Sequence, residues 1–110
     1  MKRTFEQIAE LDRIIHEPAR LAILTALSSC LSADFTYLKR LTGMNQGNLS
    51  RHLSKLENTG LIHIRKRFVE KKPNTSMQLT DVGRSAIKTH WKKLAKLHFD
   101  AKKWKKNAKE

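Results

Sequence analysis

Cysteine is almost absent: Cys30 is the single one in 110 residues. A disulfide within the chain is excluded, and a cysteine-built zinc site nearly so. This suits a reducing compartment, and a cytoplasmic location is expected. Cys30 lies in the apolar stretch between Leu27 and Leu31 and reads as a small core residue. A redox-sensing role would need a resolving partner that the chain lacks. Long apolar runs are missing too. None approaches the roughly 18 residues that would cross a bilayer. No signal peptide is expected, because residues 1–10 already mix charge with helical periodicity. Acidic residues are scarce, with 10 Asp and Glu against 23 Lys and Arg. The net charge of +13 and the sequence pI near 10.3 call for a polyanionic partner. Without an apolar segment to favour a membrane surface, nucleic acid is the better match. Catalytic groupings are also lacking. The sequence shows no Ser/His/Asp set, phosphate loop or paired carboxylates, so neither an enzyme nor a cofactor is expected. His16, His63, His90 and His98 are scattered. The last two have no neighbouring Cys or paired carboxylate, and no metal site is expected.

What the chain does have is the stretch TYLKRLTGMNQGNLSRHLSKLENTGL at 36–61. Two short amphipathic helices flank a turn at Thr42-Gly43-Met44, and a stop signal follows at Asn58-Thr59-Gly60. Such a helix-turn-helix places its second helix in the major groove of DNA. Thr36 can cap the first of these helices, over about 37–42, with Leu38 and Leu41 inward. Gly43 supplies the left-handed residue that ends it. Asn45 can cap the second. Leu49, Leu53 and Leu56 form its apolar stripe.

On the N-terminal side, Phe5, Ile8, Leu11 and Ile15 predict a helix over about 4–15. His16-Glu17-Pro18 breaks it, and Pro18 suits the first turn of the next helix, which runs to about Leu27. In that helix Leu21, Leu24 and Leu27 point inward, with Ile23 flanking. Residues 28–34 form a polar connection, with Phe35 in a very short strand. On the C-terminal side the period changes. Leu61-Ile62-His63-Ile64-Arg65 alternates as a strand, and Met77-Gln78-Leu79 reads as its partner. Pro73-Asn74 serve as turn residues in the link. Thr80 caps a last helix, with Asp81 at its positive end. Val82, Ala86, Trp91, Leu94, Leu97, Ala101 and Trp104 supply an apolar stripe along it. From 92 to 110 there are eight lysines against Asp100 and Glu110. The reading is one domain over 1–104 and a basic flexible tail over 105–110.

With the leucine stripe facing the core, Gln46, Gly47, Asn48, Ser50, Arg51 and Ser54 are left for the outer and flanking faces. Gln and Asn can fork onto adenine, and Arg onto guanine O6 and N7; Gly47 lets the backbone approach closely. The alternative is an ordinary solvated helix face. Arg65, Lys66, Arg67, Lys71 and Lys72 on the basic hairpin suit phosphate or the minor groove, where they set register and affinity. His52 either flanks a phosphate or packs at the core's edge.

The order helix, helix, helix-turn-helix, basic hairpin, long helix resembles the winged helix-turn-helix regulators of the ArsR and MarR type. It is closest to the small stand-alone forms of bacteria and archaea. HEPARLAILTAL at 16–27 is similar to their opening D-P-x-R-x-x-I-L, with Glu17 for Asp. LTGMNQGNLSRHLSKLENTGLI at 41–62 is similar to their recognition helix, and QLTDVGRSAI at 78–87 to the L-T-x-x-G-R return from the wing. Two departures stand out. The helix before the recognition helix carries no Cys, and the wing tip, Val69-Glu70-Lys71-Lys72, carries no glycine.

The resemblance implies a mainly α fold with a small β-hairpin wing and a long C-terminal dimerisation helix. It also implies a homodimer that binds double-stranded DNA at a roughly palindromic operator. Phe5, Ile8, Leu11, Trp91, Leu94, Leu97, Ala101 and Trp104 would form the interface, although the same stripe could instead pack back on its own domain. The lysine-rich last helix keeps a second function open, an architectural nucleic-acid-binding protein with little sequence preference. The sequence names no operator and no small-molecule effector.

Overall fold

A capping side chain opens each of the four principal helices. The computed structural model describes residues 3–104. After a short α1 (Thr4–Ala9), the Glu17 carboxylate accepts from the amides of Ala19 and Arg20 at 3.1 and 3.0 Å, and α2 (Pro18–Ser28) begins. Strand β1 (Ala33–Asp34) leads into α3 (Phe35–Thr42). α3 starts where Asp34 accepts from the Tyr37 amide at 2.7 Å and stops at Gly43, whose φ of 72° closes the helix in the left-handed conformation. Asn45 accepts from the Asn48 amide at 2.9 Å and opens α4 (Gln46–Asn58). Strands β2 (Ile62–Val69) and β3 (Lys72–Leu79) follow, and the antiparallel sheet runs β1-β3-β2. Thr80 Oγ1 accepts from the Gly83 amide at 2.9 Å at the start of α5 (Asp81–Trp104).

The core draws on every element from α2 onward, together with Ile15 from the segment before it. Ile23, Leu24 and Leu27 of α2 meet Leu38 of α3, Leu49, Leu53 and Leu56 of α4, Met77 and Leu79 of β3, and Ile87 of α5. α4 is therefore fixed along its leucine stripe, which leaves its opposite face in solvent. The Ile64 amide donates to Glu57 at 3.1 Å, tying the base of the hairpin to the same helix.

Several elements depart from the sequence reading. The first helix ends at Ala9 instead of Ile15 because Asp12 accepts from the Ile14 and Ile15 amides at 2.8 and 3.3 Å, forming a turn of its own. This turn buries Leu11 and Ile15 while Phe5 and Ile8 stay exposed. In α2 Ile23 is fully buried and Leu21 only half-buried, so the buried face is rotated from the one expected. Phe35 is helical, and Asp34, not Thr36, is the cap; the carboxylate offers the stronger acceptor at the positive helix end. Leu41 is 55% exposed because Leu38 alone of that pair faces inward. Pro73 and Asn74 lie inside β3, opposite Phe68 and Arg67, and the turn is Glu70-Lys71. From Lys72 to Thr75, β3 has a partner on one side only, so a residue without an amide hydrogen fits there. On α5 the inward positions are Gly83, Ile87 and His90, whereas Val82 and Trp91 are exposed. The basic tail over 105–110 lies outside the described residues.

Candidate nucleic-acid interface

The exposed face of α4 presents Gln46, Gly47, Asn48, Ser50, Arg51 and Ser54 together, all in solvent. They occupy its first three turns, where a helix entering the major groove end-on meets base edges. The wing residues Arg65, Lys66, Arg67, Lys71 and Lys72 are exposed as well. Alternation along β2 places Lys66 on one face of the hairpin and Arg65 and Arg67 on the other.

Between α4 and the wing runs an open cleft of about 390 Å³. Gln46, Ser50 and Ser54 form one wall. Lys66, Asn74 and Thr75 form the other, and Thr36 of α3 closes one end. Hydroxyls, amides and one ammonium suit a single sugar–phosphate strand, which takes hydrogen bonds and positive charge without requiring a base, while the Asp34 carboxylate at the α3 end keeps a phosphate away from that part of the cleft. The sequence reading does not place Thr36, Asn74 and Thr75 at the interface, taking Thr36 as a helix cap and Asn74 as a turn residue. Uncharged and distant in sequence, they carry no signal until β3 is paired against β2 and α3 is packed beneath.

His52 belongs to the core edge and not to the phosphate surface, being 7% exposed. Its Nδ1 lies 3.2 Å from Arg20 Nη1, and its Nε2 3.5 Å from Arg51 Nη2. Guanidinium groups only donate, and a neutral imidazole accepts at one nitrogen. The shorter contact makes Nδ1 the acceptor, which leaves Arg51 unbound at Nε2 and free to reach outward. Burial pushes the His52 pKa below the usual imidazole range, with Glu17 pulling the other way and Arg51 and Arg20 adding to the fall. Arg20 is itself held, since its Nε donates to the Ile14 carbonyl at 2.6 Å.

The remaining histidines bear on the metal question. His16 Nδ1 and His90 Nε2 are 3.1 Å apart, His90 being buried, a pairing that sequence spacing did not reveal. Among the described residues no three metal-ligating side chains come together. Among them, too, no helix is long and apolar enough to cross a membrane. Cys30 is half-buried, with its thiol 3.6 Å from the Ala26 carbonyl. Of the expected dimer residues, Phe5, Ile8 and Trp91 are exposed and Leu94, Leu97, Ala101 and Trp104 half-buried. Leu11 is 5% exposed and already covered by its own chain.

A three-helix core with an exposed recognition helix, a basic antiparallel hairpin and a polar cleft between them defines a winged helix-turn-helix of the transcriptional regulator class. Residues 19–98 match the winged helix DNA-binding domain, and the chain belongs to that family. It is 32% identical over 78 residues to an uncharacterized protein of Methanocaldococcus jannaschii, spanning 71% of this chain and 85% of the relative. Among solved structures, a transcriptional regulator homologue from Pyrococcus horikoshii OT3 superposes with a TM-score of 0.81 and 26% identity. That match covers 89% of this chain and 96% of the other. The repressor CouR, solved on a 23-mer DNA duplex, shares the fold at a TM-score of 0.71 and 22% identity, over 89% of this chain and 66% of its own.

Proposed function

We propose that this DNA-binding regulator reads a specific, roughly palindromic operator as a homodimer and controls transcription from the cytoplasm by occupying it. The cleft between α4 and the wing carries this reading. It seats one backbone strand so that Gln46, Asn48 and Arg51 face base edges while the wing cations flank the phosphates. CouR, with the same fold, was captured on duplex DNA. The neutral, buried His52 leaves the Arg51 guanidinium available for guanine.

Selection from a random duplex pool tests the proposal. A symmetric motif of two half-sites about one helical turn apart is expected. Arg51→Ala should cost about 1–3 kcal/mol on that motif and relax preference at one position per half-site. Gln46→Ala and Asn48→Ala should act at neighbouring positions. A pool that stays random at moderate salt would support the architectural reading instead.

A further inference from the structure

Most of the large exposed apolar side chains in the described residues lie on the helices or in the link after α2. Phe68 does not. It stands near the tip of the wing, 75% exposed, with Val69 beside it at 43%. Its position is rigidly set. Phe68 pairs with Pro73 across the hairpin, and Val69 with Lys72. The turn beyond them is two residues long, with φ of 52° at Glu70 and 65° at Lys71, the left-handed pair whose twist matches the flanking strands. Holding non-glycine residues there costs backbone strain, so the tip is built to a fixed shape.

The side chain's direction follows from alternation. Ile64, Lys66 and Phe68 share one face of β2. Ile64, Lys66 and the cross-strand partner Pro73 all line the cleft. Phe68 therefore lies on the cleft-facing side, one step further out than Lys66. With α4 in the major groove and one backbone strand in the cleft, the groove beyond that strand is the minor groove. The wing presents an aromatic ring there, with Lys66 one step inward on the same face and Lys71 in the turn just beyond. Those two cations suit the phosphates that edge a minor groove. They also oppose a second copy of the same positive tip.

We infer that Phe68 is an apolar wedge that enters the minor groove and partly unstacks one base step next to the half-site. The inference rests on the DNA-binding reading above. An inserted ring bends the duplex toward the major groove and favours steps that unstack easily. Specificity would then include a pyrimidine–purine step, TA or CA, at a position no polar side chain touches.

The experiment compares wild type, Phe68→Ala, Phe68→Leu and Lys71→Ala on duplexes with end-to-end fluorescence labels. Each duplex carries either a TA step or a stiff A-tract beneath the wing. Wild type should bend the TA duplex by tens of degrees and prefer it to the A-tract by about tenfold. Phe68→Ala should lose both the bend and the preference while keeping its melting temperature and its salt slope. Phe68→Leu should retain part of each. Lys71→Ala should keep the bend but lower the salt slope by about one. An unbent wild-type complex, or Phe68→Ala with undiminished bend and preference, overturns the wedge. Wild type that binds neither duplex at low salt overturns the DNA-binding reading itself.

Discussion

His52 is a neutral ring wedged against two guanidinium groups and one carboxylate, from Arg20, Arg51 and Glu17. His90 is the other buried histidine, facing His16, with Asp12 and Lys93 nearby. Burial lowers both pKa values in the fold. The unfolded chain, with an ordinary imidazole pKa of about 6.5, therefore binds more protons than the folded one just below that pH. Stability is fully present above that pH and is lost as pH falls toward the depressed folded values. Glu17 acts further down. Burial pushes its pKa up, but the amides of Arg20 and Ala19 and the charges of His52 and Arg20 outweigh this and hold it low. Its contribution is present above the ordinary glutamate range and is lost on further acidification. The thermal midpoint should fall steadily from pH 7.5 to pH 5, and His52→Gln and His90→Gln should each flatten that slope. A midpoint that holds steady or rises over this interval would refute the assignment. None of this was legible in the sequence, which left His52 balanced between phosphate and packing and His90 scattered among unrelated histidines. The contacts span 32 and 74 residues of chain, separations that local periodicity does not register. The outer face of α4 was legible because Leu49, Leu53 and Leu56 fix the phase of the helix, and apart from His52 the α4 positions off that stripe face outward.

At the level of elements, the junction of β2 and α5 shows how tightly the wing is anchored. A Cβ added at Gly83 would stand 1.9 Å from the Leu61 carbonyl oxygen. That same oxygen accepts from the Thr80 amide and hydroxyl, each at 3.1 Å. Backbone here has no side chain's freedom to yield, so Gly83→Ala should lose about 3 kcal/mol or more in a urea titration. A loss under about 1 kcal/mol would mean that α5 can slide away from the wing root. The sequence showed Gly83 only as a letter in the L-T-x-x-G-R pattern. Its physical reason, helix packed directly on strand, needs the third dimension. Element types were otherwise readable wherever period and cap agreed, as at Asn45, Pro18 and Thr80. They were misread where a polar side chain competed locally, as Asp12 does after α1. The wing tip was placed at Val69 to Lys72, where the turn falls, but Pro73 and Asn74 were misread as turn residues: proline and asparagine signal turns in general, while Glu70-Lys71 adopts one against its own preference.

At the scale of the whole molecule, α5 is too long for the domain that carries it. The described chain measures 65 × 26 × 20 Å, with a radius of gyration of 17.2 Å, against about 13 Å for a compact chain of this size. Along α5, Gly83, Ile87, His90, Leu94, Leu97, Ala101 and Trp104 follow each other at alternating spacings of four and three, a heptad seam. The first three are buried by the core, whereas the last four are only half-buried. Near the free end α1 lies alongside, with Gln7 donating to Asp100 at 3.0 Å, yet Phe5 and Phe99 remain 81% and 59% exposed. Apolar grooves of about 500 and 430 Å³ flank Trp91 on either side. A second copy laid against this surface would cover seam, grooves and α1 together, with Lys88, Lys92 and Lys96 at the rim. It would also set two recognition helices on one duplex. Leu94 and Leu97 are poor probes of that contact, because both already pack within their own chain. Ile8 and Trp91 are better, at 46% and 45% exposed. Ile8→Lys with Trp91→Lys should leave the helical signal and melting of the domain largely intact. The same variant should sediment as a monomer and bind a two-half-site operator about a hundredfold more weakly than wild type, while binding a single half-site equally well. Wild type that sediments as a monomer at tens of micromolar, an ordinary concentration for a weak dimer, would leave each domain reading its half-site alone and would end the case for a palindromic operator.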